Sequence, residues 1–136
     1  VSLNYEEIKR HYSETGSEFY KHLFESVEVN INTGDPSIIC CPQNLYIDSE
    51  EKHLTLYFFL EDRLIKFTRL DSQTVILNSV RYKDFIDVML TQTNYHIMLE
   101  IRTSSGMKFH LYSDSTTEDQ MDKLGKQIQE SAKLII

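Results

Sequence analysis

The chain has 136 residues, enough for one domain with a core of its own, and its acidic residues outnumber the basic ones 21 to 14, giving a formal net charge of −7. A field of that sign repels phosphate backbones and anionic headgroups, which argues against nucleic-acid binding and electrostatic membrane docking. Four Gly, two Pro and a 40% apolar share exclude a linker, and apolar runs such as Tyr57–Leu60 are far too short to span a membrane.

The N-terminal stretch reads as helix. Asn4 stands where a cap belongs, with Glu7 three residues on, and Tyr5, Ile8, Tyr12, Phe19, Leu23 and Phe24 fall on one stripe. Gly16 interrupts this stripe, and Thr15 and Glu18 have the spacing of a second cap. The expectation is one bent helix over 4–25 or two short ones, forming an N-terminal helical segment at 1–26. Val1–Asn4 lead into this charged pattern rather than into a signal-peptide core.

A β region is expected over 27–114. Val29 and Ile31 alternate with polar residues, predicting a strand that ends at the Thr33–Pro36 turn. Ile38–Cys41 is short and apolar before Pro42, and Leu45 and Ile47 resume the alternation. Further strands are predicted over His53–Leu60, Leu64–Leu70 and Thr74–Val80, separated by polar turns. Residues 82–92 fit a helical stripe or a strand; their surroundings favour strand.

The clearest hairpin joins 97–103 to 108–112 through Ser104-Ser105-Gly106, whose Gly suits the left-handed position of a bulged turn. This register sets Ile101 opposite Phe109 and Leu99 opposite Leu111 on the core side. It sets Glu100 opposite His110, and Met98 opposite Tyr112, on the other face. From residue 115 to 136 a terminal helix is predicted. Ser115, Thr116 and Thr117 are candidate caps, and Met121, Leu124, Ile128, Ala132 and Ile135 form an apolar stripe that must cover something.

Chemistry-bearing constellations are scarce. Cys40 and Cys41 are adjacent with no third cysteine, and a bridge between neighbours is strained. On a strand they face opposite ways, so one is expected buried and the other partly exposed. The five histidines lack the spacing of a zinc site; His11 and His22 share a face only if one helix runs through both. Glu100 and His110 are expected to form a surface cross-strand pair. Asp48-Ser49-Glu50-Glu51 lacks the Gly and the later Glu of a calcium loop. Neither Gly-x-Gly nor Gly-x-Ser-x-Gly occurs. Catalytic residues, a metal and a cofactor are therefore expected to be none. Tyr57 and Phe59 share a face opposite Leu54, Leu56 and Phe58, which marks a central strand or one beneath a groove.

About seven antiparallel strands followed by one amphipathic helix resemble a pleckstrin-homology-like (PH-like) barrel over residues 37–135. That resemblance implies an α+β fold: an antiparallel barrel or two packed sheets, with Met121, Leu124, Ile128 and Ile135 plugging an open corner. The N-terminal helix would be an addition, and the acidic balance departs from lipid-binding members. The chain is also similar to small, uncharacterised domain families of Bacillus-type bacteria. The expected function is that of a non-enzymatic, cytoplasmic module binding a protein or peptide, with a homodimer as one assembly. An acidic inhibitor or immunity-type protein with a basic partner is an alternative, and a small-molecule binder or small enzyme another.

Overall fold

The computed structural model describes residues 3–15, 18–47, 49 and 51–136. Two helices open the chain. Helix α1 (Tyr5–Glu14) starts at Asn4, whose Oδ1 accepts the Glu6 N–H at 2.8 Å and the Glu7 N–H at 3.4 Å. A 3-10 turn at Glu18–Tyr20 leads into α2 (Lys21–Asn30). The expected break point, Gly16, lies outside the described residues, as do Ser17 and, in the acidic loop, Asp48 and Glu50.

The strand expected from Val27 to the turn at Thr33 does not form: Val27–Asn30 complete α2 and Ile31 caps it. Leu23, Val27 and Ile31 recur every four residues and are buried, whereas Val29 is 84% exposed. Val27, Val29 and Ile31 satisfy a period of two only while Leu23 is ignored; the helical period accounts for all four.

Seven strands follow: β1 (Ile39–Gln43), β2 (Thr55–Phe59), β3 (Arg63–Arg69), β4 (Val75–Arg81), β5 (Phe85–Gln92), β6 (Ile97–Thr103) and β7 (Lys108–Tyr112). They form two antiparallel sheets, β1-β2-β3-β4 and β5-β6-β7. Pro42 belongs to β1 rather than ending it, because β1 is an edge strand with one side free of ladder bonds. Residues 82–92 divide into a 3-10 corner at Tyr82–Asp84 and the strand β5. The β6–β7 register pairs Ile101 with Phe109, Leu99 with Leu111, Glu100 with His110 and Met98 with Tyr112, as the sequence predicts. Gly106 carries the turn at φ +89°, where a side chain would be strained.

Each face of the first sheet meets a different layer. Cys40, Leu56, Phe58, Ile65 and Phe67 pack against Ile8, Leu23, Phe24 and Val27 of α1 and α2. Cys41, Tyr57, Phe59 and Leu64 pack against Leu99, Ile101, Phe109 and Leu111 of the second sheet. Helix α3 (Met121–Ile135) completes that second core with Leu124, Ile128 and Ala132, lying over β1, β6 and β7. Its close approach uses Gly125, where a Cβ would sit 3.4 Å from Ile97 and Ser113. The C-terminal helical segment begins at a 3-10 turn, Glu118–Gln120, rather than at 115. Ser115 and Thr116 do not cap it; their hydroxyls are spent on Asn44 and on the Leu45 carbonyl. The fold is thus α+β with two packed sheets, and among the described residues no ladder closes them into a barrel.

Candidate functional site

Among the described residues, those singled out in the sequence have definite places. Tyr57 and Phe59 are only 4% and 0% exposed, so they belong to the core between the sheets rather than to the wall of an open groove. Both cysteines are buried, because the sheet that carries them is covered on both faces. Burial pushes the Cys41 thiol up to about 12 against the opposing effect of Ser131 at 3.2 Å, and raises Cys40 well above its ordinary value. Neither thiol is poised for nucleophilic chemistry at neutral pH.

The relation between His11 and His22 is lost, since α1 ends at Glu14. His22 lies 3.9 Å from Glu25, and His110 lies 3.8 Å from Glu100 on the outer face of the second sheet. Asp87, Met89, Arg102 and Lys108 surround that pair in a shallow concavity of about 200 Å³. Among the described residues, no group of three or more His, Cys, Asp or Glu side chains is arranged to hold a metal.

Two regions of the described surface stand out by their exposed strand edges and by their buried charge. The first is the seam between β4 and β5. These strands are the outer edges of their respective sheets, and they leave the Tyr82–Asp84 corner without pairing to each other. No residue in either strand is buried. Ile76, Leu77, Ile86 and Met89 are exposed, Ile86 at 60% and Met89 at 50%. Behind the seam on β3, the Lys66 ammonium lies 5.5 Å from the Tyr57 ring and 5.9 Å from that of Phe109. Its partial burial lowers its pKa. A bulge between Phe85 and Asp87 bends β5 where Ile86 projects.

The second region is a concavity of about 840 Å³ between α1, the Tyr20 turn, the loop after β1 and the β3–β4 turn. Rings line it: His11 and Tyr46 are 4.2 Å apart between centroids, Tyr12 and Tyr46 stack at 5.9 Å, and Phe19 and His53 lie 5.2 Å apart. Tyr46 holds a left-handed backbone at φ +60°, rare for a bulky residue, and its N–H donates to Tyr12 Oη at 2.8 Å. Arg69 is 7% exposed and stacks on Phe19, its guanidinium carbon 3.0 Å from the ring centroid.

Arg69 and Lys66 were not singled out from the sequence, although a signal exists. Ile65, Phe67 and Arg69 share one face of β3, so the alternation that makes Phe67 core places a cation where an apolar residue is due. No protein-family model matches the chain, and no curated protein matches it in sequence.

Proposed function

We propose that the protein is a non-enzymatic interaction module, PH-like in its order of elements, that takes an extended segment of a partner protein or peptide at the β4/β5 seam. One observation carries this reading: two strand edges without ladder partners flank exposed apolar side chains on strands in which no residue is buried. Main-chain groups along such an edge supply affinity to an added strand, and alternate side chains supply selectivity. Ile86 and Met89 would meet apolar residues of that segment, and the half-buried Lys66 would meet a carbonyl or carboxylate.

The test is selection of displayed peptides against the full chain, followed by amide hydrogen exchange. Selected peptides are expected to protect amides of β4 and β5 and to lose binding when Ile86→Lys is introduced. Protection confined to other elements would overturn the reading. Binding that collapses at high salt while Ile86→Lys has no effect would favour the acidic-inhibitor alternative.

A further inference from the structure

We infer that the concavity beside Arg69 is a binding site for a small organic anion, a carboxylate or phosphate carried on a planar apolar body. Its described lining shares no residue with the β4/β5 seam. Arg69 is permanently cationic, 7% exposed, and forms no ion pair among the described residues. Among the described residues its Nε has no hydrogen-bond partner. A buried cation left in this state is costly unless an anion completes it. Phe19 covers one face of the guanidinium, so the donors available to a ligand lie in its plane, the geometry that carboxylate and phosphate oxygens match.

Two phenols extend the donor set. Tyr12 Oη accepts the Tyr46 N–H at 2.8 Å, and Tyr20 Oη accepts the Leu54 N–H at 3.2 Å. Each oxygen is therefore engaged as an acceptor, and among the described residues its own hydrogen has no acceptor. Burial raises the Tyr12 pKa, which keeps that hydrogen in place. The acidic group among the described lining residues, Asp71, is exposed and turned to its own loop, its Oδ1 accepting the Gln73 N–H at 2.8 Å. That bond is the main cause holding its carboxyl below the usual range, and the Arg69 charge contributes least.

The rest of the lining supplies flat surfaces. His11, Tyr46, Phe19 and His53 present ring faces or edges, and a volume of about 840 Å³ suits a small molecule rather than a single ion. An aromatic cage built for a cation would carry no buried Arg.

Titrations of the full chain with benzoate, phenyl phosphate, inorganic phosphate and benzylamine, followed by two-dimensional NMR, test this. Benzoate or phenyl phosphate is expected to shift the Tyr46 and Leu54 amides and the Arg69 Nε–H saturably, and benzylamine to leave them in place. Arg69→Met is expected to weaken binding at least tenfold while the unliganded variant melts no lower than the parent. Tyr20→Phe, which keeps the ring, is expected to weaken binding severalfold. Saturable binding of benzylamine at the same residues, undiminished affinity in Arg69→Met, or no saturable shift with either aromatic anion would overturn the assignment. Inorganic phosphate binding as tightly as phenyl phosphate would overturn the planar-body requirement.

Discussion

The two sheets meet at the β1/β7 edge and are joined in chain order through the β4/β5 corner, and these two seams are finished in opposite ways. At the β1/β7 seam the Gln43 side-chain amide stands in for a peptide group: its Nε2 donates to the Tyr112 carbonyl at 3.1 Å and its Oε1 accepts the Tyr112 N–H at 2.8 Å. The Leu45 N–H donates to the Ser115 carbonyl, the Asn44 N–H to Ser115 Oγ, and Gln127 to the Cys40 carbonyl. At the β4/β5 seam nothing comparable connects the edges among the described residues. The contrast teaches that closure here is a local decision made by side chains. Where they spend the backbone's free groups the edge is finished, and where they do not the edge remains open to another strand.

Substitutions at the finished seam should be costly and those at the open seam cheap. Leu124→Ala removes a fully buried side chain that holds α3 over β1 and β6, and should cost about 3 kcal/mol in urea unfolding. Gln43→Ala leaves the Tyr112 N–H without its partner and its carbonyl with the Ser115 N–H alone, and should cost about 2 kcal/mol. A loss below ~0.5 kcal/mol in that variant would mean that water replaces the amide and the seam is not sealed.

The two layers also predict a pH response. Burial raises the folded-state pKa of Cys40, Cys41 and Tyr57, with Cys41 and Tyr57 at about 12. The folded protein therefore keeps protons that the unfolded chain releases, so this stability is complete below the ordinary thiol value of 9.0 and is lost as pH rises towards about 12. Melting temperature should fall progressively over that window, and Cys41→Ala should make the fall shallower. At the open seam, Met89→Lys should change stability by no more than ~0.5 kcal/mol by the same unfolding measurement. A larger loss would show that Met89 is part of the core and would remove the contrast.

Legibility in the sequence followed the range of the interactions involved. The β6–β7 register was readable because a three-residue loop with Gly106 fixes it locally. The α3 stripe was readable because its period is unbroken from Leu124 to Ala132. Residues 27–31 misled because three alternating apolar residues satisfy a strand pattern while Leu23 binds two of them into a helix face. Ser115 and Thr116 looked like caps, since capping is the local use of a hydroxyl; their actual partners lie 71 positions away. The Arg69 concavity gathers α1, a turn and two loops, so no single window of sequence contains it. Only the misplaced cation on β3 pointed there.

Cys40 and Cys41 are neighbours on one strand, yet one thiol lies beneath α1 and α2 and the other beneath α3 and the second sheet. A thiol reagent is expected to react fully with the first when the N-terminal helices lift and with the second when the other layer separates. The pair therefore works as a built-in two-channel recorder. Single-cysteine versions of the chain, labelled under native conditions, would time the opening of each layer separately, without any foreign probe placed in the core.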